Sequence, residues 1–391
     1  MPITLFDTGW QFRTESAGAP SPREAGPILG APEAHGPWSD VDLPHDAMIH
    51  EPRSAATAST PGAGWFPGGT YRYRKNLHVP ADLGDDRLSL VFEGVYKNST
   101  VFVDGAHVGG CRGGYTEFEV DLGALTPGAD ATVEVVVDNS RQPSTRWYSG
   151  SGLYRHVWLR RTGPVRLARG GTALTTTALG RSAAGTSATA TARIEIDNPD
   201  GGTVTVTARL IEAGSEAARG SVTTTGTVVE IPLNVAHARL WSDADPHLYD
   251  LTVTLAGADG AVLDEEASRT GLRLIEVDAA EGLRINGRPV KLRGACVHHD
   301  SGILGAATFA DTERRRARIL KQQGFNAIRS AHNPASRDLL AACDEVGLYV
   351  MDELWDMWFQ AKNPHDDAPI SNSPGPVTSS HSCARTGCTR A

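Results

Sequence analysis

Three short apolar runs in the second half of the chain each end in groups that could do chemistry: His298, His299 and Asp300, then His332 and Asn333, then Asp352 and Glu353. Imidazoles and carboxylates are the side chains that bind polar ligands or move protons near neutral pH. One histidine at a strand end is usually structural, but three consecutive ends carrying such groups point to a site. Metal binding by His298, His299, His332 and Asp352 is the rival reading. It is weak, because adjacent histidines on an extended chain face opposite ways and no HEXXH motif is present. Serine nucleophile chemistry lacks its GxSxG elbow. Cys111, Cys296 and Cys343 fall in strand or helix contexts, where a thiol acts as a small buried hydrophobe. Upstream, Trp147 to Arg155 gathers aromatics and glycines into one turn. Aromatic faces suit the apolar faces of sugar rings, and a turn pinned by buried aromatics is the alternative.

The elements that must position these groups follow from pattern. Val290 to Gly294 reads as a strand, after a tight hairpin at Ile285 to Arg288. Thr308 and Asp311 have capping-box spacing ahead of a helix over Arg314 to Lys321, with Gly324 as its C-terminal cap. Phe325 to Arg329 is a second strand. A second helix opens at Asn333-Pro334, buries Leu339, Cys343 and Val346, and stops at Gly347. Leu348 to Met351 is the third strand. Strand-helix-strand-helix-strand with short loops requires a parallel sheet with right-handed crossovers. It fits the opening of a (β/α)8 barrel or of a doubly wound sheet, and no Gly-rich loop favours dinucleotide binding. In a barrel, chemistry sits at the strand C-termini.

Before residue 165 the chain reads as short strands and turns, including Leu88 to Glu93, Thr100 to Val103 closed by Asp104-Gly105, Thr132 to Val137, and Tyr154 to Leu159. This spacing predicts a β-sandwich or jelly roll. Residues 168–190, poor in large apolar side chains, read as a surface segment. Thr203 to Thr207, Val228 to Ile231 and Leu248 to Val253 then predict an immunoglobulin-like sandwich.

The bulk numbers narrow the classes. The 391 residues suggest two or three domains. A net charge of −9 gives no electrostatic reason to coat nucleic acid or anionic lipid. Five cysteines without a CxxC pair argue against a disulfide scaffold or zinc site. No signal peptide is visible in MPITLFDTGWQF, and no apolar run is long enough to span a membrane. A cytoplasmic location is the resulting expectation.

Several motifs, in order, carry a family likeness: Pro44-His45-Asp46, Gly94 to Ser99 (GVYKNS), Ser151 to Arg155, Leu292-Arg293-Gly294, and above all Asn326 to Pro334 followed by Cys343 to Glu353. With Val297 to Asp300 and Asp356-Met357-Trp358, the chain resembles glycoside hydrolase family 2, the β-galactosidases, β-glucuronidases and β-mannosidases, in its bacterial β-galactosidase-like form. The resemblance implies a jelly-roll sugar-binding domain over 1–165, an immunoglobulin-like β-sandwich over 166–276, and an incomplete (β/α)8 TIM barrel over 277–366. It also implies that His298 and His332 line a sugar subsite, with Asn333 beside them, and that Asp352 and Glu353 shape its floor. The implied partner is a β-galactoside-like carbohydrate, with neither nucleic acid nor membrane; family relatives are often oligomers, so a homo-oligomer is possible. No cofactor is implied. The magnesium-holding Glu-x-His pair of some β-galactosidases is replaced by Met357 and Phe359, so no metal is expected.

The family is retaining and needs two carboxylates about 5–5.5 Å apart, one protonated and one nucleophilic. The resemblance places both on later barrel strands, the acid within an Asn-Glu pair, and no Asn-Glu dipeptide follows residue 280. No catalytic acid or nucleophile is therefore assigned. A barrel takes about 250 residues, and only three of its strands are legible. From Asp367 to Ala391 there is no aromatic and no Leu, a composition that reads as an aberrant, frame-shifted or disordered tail. The expectation is a chain of glycosidase type that is itself inactive. The alternatives are a non-catalytic carbohydrate-binding sandwich protein, or complementation by a second chain. On this reading the barrel piece folds poorly in isolation.

Overall fold

The structure is a computed structural model that describes residues 3–15, 36–59, 61–183, 185–357 and 360–367. The first unit is a sandwich of two antiparallel sheets. Ile3–Leu5, Val157–Thr162, Arg87–Phe92 and Phe118–Asp121 form one sheet in that order. Ser39–Val41, Trp10–Glu15, Thr70–His78, Asp130–Asp138, Ser99–Val103 and Ala106–Cys111 form the other. Strand alternation turns Val133, Val135 and Val137 inward against Trp10, Tyr73, Leu90 and Phe92, all fully buried. The Asp104-Gly105 hairpin has both central residues at positive φ, 47° and 80°, the twist a two-residue turn needs.

The second unit packs Arg166–Ser182, Gly185–Asp197 and Val228–Val235 against a four-stranded sheet, Ser215–Thr224, Val204–Glu212, Tyr249–Gly257 and Val262–Thr270. The expected surface segment over 168–190 instead belongs to the longest strand pair among the described residues, Arg166–Ser182 with Gly185–Asp197. Its inward positions are alanines: Ala188, Ala190 and Ala192 are at most 3% exposed. Alternating Ala and Thr hold the period of two without bulky side chains, so a reading by size misses them.

The third unit opens with the hairpin Ile275–Asp278, Gly282–Ile285 and Arg288–Pro289, turned at Asn286 and Gly287 with φ of 54° and 73°. Three strands follow in parallel register, Gly294–Val297, Ala327–Ser330 and Tyr349–Asp352, with the helices Ala310–Gln322 and Arg337–Val346 between them. Trp241 of the second unit is buried in the core under these helices, and its indole N–H donates to the Asp344 carbonyl at 2.9 Å.

Four local expectations need correction. The first parallel strand starts at Gly294, not Val290, because the Asn326 side chain captures the Arg293 N–H (2.7 Å) and the Lys291 carbonyl (3.1 Å). Thr308 caps nothing: its hydroxyl donates to the Ala306 carbonyl, and Phe309 precedes the helix. The second helix is capped by Ser336, whose hydroxyl accepts the Leu339 N–H, rather than opened by Asn333-Pro334, and its Val346 is only half-buried. Cys296 is exposed on the sheet, while Cys111 and Cys343 are buried. Beyond Asp367, the tail expectation concerns residues outside those described.

Candidate sugar-binding site

Parallel register aligns Val297, Ser330 and Asp352, so the residues that follow them emerge at one end of the sheet. There the rings of His298 and His332 lie 5.6 Å apart, centroid to centroid. Trp147, from the N-terminal sandwich, meets both. It stacks on His298 at 5.6 Å with planes 15° apart, and lies 5.2 Å from His332. Its indole N–H donates to the Tyr115 hydroxyl at 2.9 Å. The expectation of an aromatic turn is met in its second form: Trp147 is 7% exposed, so it backs the imidazoles rather than offering an open face to a sugar.

The imidazoles are fixed by different partners. His298 Nδ1 lies 2.9 Å from the Ala331 carbonyl, which can only accept, so Nδ1 carries a proton, and in the neutral ring Nε2 is the acceptor. His332 Nδ1 lies 3.3 Å from Glu353 Oε2 and 3.7 Å from Asp356 Oδ1. Glu353 is also paired with Arg329. Asp356 accepts two bonds from Arg146, at 3.0 and 2.8 Å, and one from Lys362 at 2.7 Å. Burial works against its charge, but hydrogen bonds from Lys362 and Arg146 outweigh it and hold the carboxyl below its ordinary pKa.

Of the five expected residues, His298, His332 and Glu353 come together. Asp352 turns away: its Oδ1 accepts the Ser330 hydroxyl (2.6 Å) and the Ala335 N–H (2.9 Å), bracing the loop that carries His332. Asn333 is buried, its Oδ1 accepting the His332 N–H at 3.1 Å. Sequence reasoning gave no role to Arg146, Asp356 or Lys362. Arg146 and Asp356 are 210 residues apart, and no local pattern pairs them. Of the positions compared with a Glu-x-His pair, Met357 is buried and Phe359 lies outside the described residues.

The N-terminal sandwich meets this end of the sheet through Asp46. Its carboxylate accepts N–H groups from Met48 (2.9 Å), Ser151 (3.0 Å) and Ala306 (2.8 Å), and the Tyr148 hydroxyl (2.7 Å). Gly150 and Gly305 make room for it: a Cβ on Gly150 would come within 2.9 Å of its Oδ2, and one on Gly305 within 2.2 Å. Both also have φ above 60°, where a side chain is strained. Arg316 of the first helix holds the 298–301 loop by donating to the His298 carbonyl and the Ser301 hydroxyl.

His299 does not face the site. Its Nε2 donates to the Ser149 carbonyl at 2.9 Å, among Tyr115 and Tyr154. Burial pushes its pKa down to about 3, and that of His45 to about 4. A folded pKa below the ordinary 6.5 means that the unfolded chain takes up protons first. The stability from keeping these rings neutral is full above pH 6.5 and is lost as the pH falls toward 3. His299→Gln should therefore flatten the acid limb of stability between pH 6.5 and 4, by a few kcal/mol. Asp46, Glu93 and Glu313 are raised by burial and pull the other way, so the measurement is the difference between variant and wild-type urea midpoints across pH.

Comparison with known proteins gives a consistent result along the chain. Residues 39–166 match the profile of the glycosyl hydrolase 2 galactose-binding domain-like family, 168–273 that of glycosyl hydrolases family 2, and 275–369 that of the family 2 TIM barrel domain. A β-galactosidase of Bacteroides ovatus is 38% identical over 342 residues, covering 86% of this chain and 40% of the relative. A β-glucuronidase of Bacteroides fragilis is 26% identical over 340 residues, covering 82% of this chain and 47% of the relative. Among solved structures, a family 2 glycosyl hydrolase of Bacteroides cellulosilyticus superposes with a TM-score of 0.87 at 31% identity, over 99% of this chain and 50% of that one. A β-glycosidase of Bacteroides vulgatus gives 0.87 at 29% identity, over 99% and 49%. The chain thus spans half or less of the length of these relatives.

Proposed function

The chain belongs to glycoside hydrolase family 2, and from that premise we propose that it carries the sugar-binding part of a retaining β-glycosidase site, of β-galactosidase-like specificity, without the carboxylate pair that cleaves the bond. The observation that carries this reading is the cluster of Trp147, His298 and His332, built by two units that meet at the ends of parallel strands. In this arrangement His298 Nε2 is an acceptor for a sugar hydroxyl, and His332 and Glu353, a quarter and a fifth exposed, present further polar contacts. Trp147 keeps both rings in place, which lowers the entropy lost when a ligand orders them.

Retaining hydrolysis needs one carboxyl that stays protonated until it gives its proton to the leaving oxygen, and one that attacks the anomeric carbon. Asp356 is held ionised by Lys362 and Arg146, so it is no proton donor. Glu353 is occupied by Arg329 and His332. These acids therefore orient the imidazole and the ligand rather than cut.

A panel of nitrophenyl glycosides tests the reading. The pure chain should bind a β-galactoside and release no nitrophenol above the uncatalysed rate. Hydrolysis of nitrophenyl β-galactoside that Glu353→Gln abolishes would overturn the proposal, because it would make Glu353 a working acid.

A further inference from the structure

The loop that carries His332 runs directly into the helix Arg337–Val346, and three side chains of the N-terminal sandwich grip the junction. Arg155, itself 3% exposed, donates to the Pro334 carbonyl at 3.1 Å. Glu117 accepts both sides of the Arg337 fork, Nε at 2.6 Å and Nη2 at 2.7 Å. The same carboxylate accepts the Nε of Arg169, from the second sandwich, at 3.0 Å. His156 lies 2.6 Å from Asp7 and 3.5 Å from Asp338. One acid of the first unit is thus shared by an arginine from each of the other two.

Charge rather than apolar packing holds this junction. Among the described residues, the apolar cluster under the helix contains no residue of the N-terminal sandwich. Instead Glu93, Glu117, Arg155, Arg337 and Asp352 line a cavity of about 100 Å³, room for roughly three waters. Burial opposes the charge on Glu117, but Arg337 and Arg169 outweigh it and hold its carboxyl below the ordinary range. Burial likewise opposes the charge on His156, but Asp338 and Asp7 outweigh it and push the imidazole up to about 10. Bidentate guanidinium–carboxylate pairs fix direction as well as distance, so this is a junction that sets an orientation.

We propose that Glu117 is a positioning residue for the sugar site: it seats residues 334–338 through Arg337, and so sets where His332 stands against Trp147 and His298. The contacts that the N-terminal sandwich makes with this junction fall within residues 334–338, directly after His332 and Asn333, and Asp352 fixes the Ala335 N–H from the neighbouring strand. An ion pair that only added stability would have no reason to converge there. The inference rests on the reading of this cluster as a sugar subsite.

The test uses the full chain as Glu117→Gln and, from the other side of the contact, Arg337→Gln. Glu117→Asp keeps the charge, and Glu216→Gln removes a surface partner of Arg209 as a control. Backbone hydrogen exchange over 331–340 should quicken about tenfold in both Gln variants, with strand 133–137 unchanged, and the dissociation constant for methyl β-D-galactoside should rise about tenfold. Glu117→Asp should recover most of the affinity, and the control should match wild type. Unchanged exchange in both Gln variants overturns the seat. Wild-type binding that Glu117→Gln leaves unaltered overturns the positioning role alone. A wild-type chain that binds no glycoside overturns the underlying reading, a result distinct from either.

Discussion

Asp46→Ala should lower the unfolding free energy by on the order of 3–5 kcal/mol, read as the shift in urea midpoint at pH 7. The carboxylate is 2% exposed and accepts four hydrogen bonds, from Met48, Ser151, Ala306 and Tyr148. Removing it leaves three buried N–H groups and a hydroxyl without an acceptor, and each costs about 1–3 kcal/mol in a dry site. Asp46→Asn is the informative partner. Its amide keeps the shape and one acceptor oxygen, so it should cost about half as much. Because Ala306 belongs to the loop after the first parallel strand, the loss should include the contact between units. Exchange at 302–307 should quicken in Asp46→Ala before the N-terminal core opens. A loss under about 1 kcal/mol would mean that water replaces the carboxylate readily and that the junction is not dry.

Trp147→Ala should have the second large effect, and on two separable quantities. Deleting a buried indole from a packed cluster costs about 3–5 kcal/mol of stability. It also removes the surface that holds His298 and His332 at their present angle, so affinity for a β-galactoside should fall at least about tenfold. Trp147→Phe separates the two. It keeps much of the packing and loses the bond to the Tyr115 hydroxyl, so it should recover most of the stability and only part of the affinity. An Ala variant that is destabilised but binds as tightly as wild type would assign Trp147 to the core alone.

Much of the architecture was legible because it is written in short periods. Val133, Val135 and Val137 alternate, Asn286-Gly287 marks a two-residue turn, and Gly347 closes a helix in the left-handed region with φ of 80°. The strand-end residues were legible too, since a parallel sheet must bring them to one end. What stayed hidden depends on partners far along the chain. Asp46 reads as part of a motif, but its work is done on Ser151 and Ala306, 105 and 260 residues away. Asp352 and Glu353 are neighbours with opposite fates, because strand alternation sends one to Ser330 and Ala335 and the other to Arg329 and His332. The Ala–Thr strands are hard to read from sequence because small inward side chains hold the period without the bulk that normally reveals it. The start of the first parallel strand shifted because the Asn326 side chain takes the Arg293 N–H and the Lys291 carbonyl, while the Val290 N–H stays with the hairpin at the Leu283 carbonyl.

The glycosidase reading also explains why so many ion pairs cross between units at one end of the sheet. Arg146–Asp356 and Glu117–Arg337 each join the N-terminal sandwich to the third unit, and Lys97–Asp367 joins it to the residue that follows that unit. A site built from loops of two units needs its halves held in register, and directional charged bonds add to the aromatic cluster of Tyr96, Tyr115, Trp147 and Tyr154 that packs on Ala306.

The most direct measurement is isothermal titration of the full chain with methyl β-D-galactoside, in wild type and in His332→Ala. The account predicts saturable binding by wild type and a dissociation constant raised at least about tenfold in the variant. Binding that His332→Ala leaves untouched, or no binding to wild type at all, would contradict it.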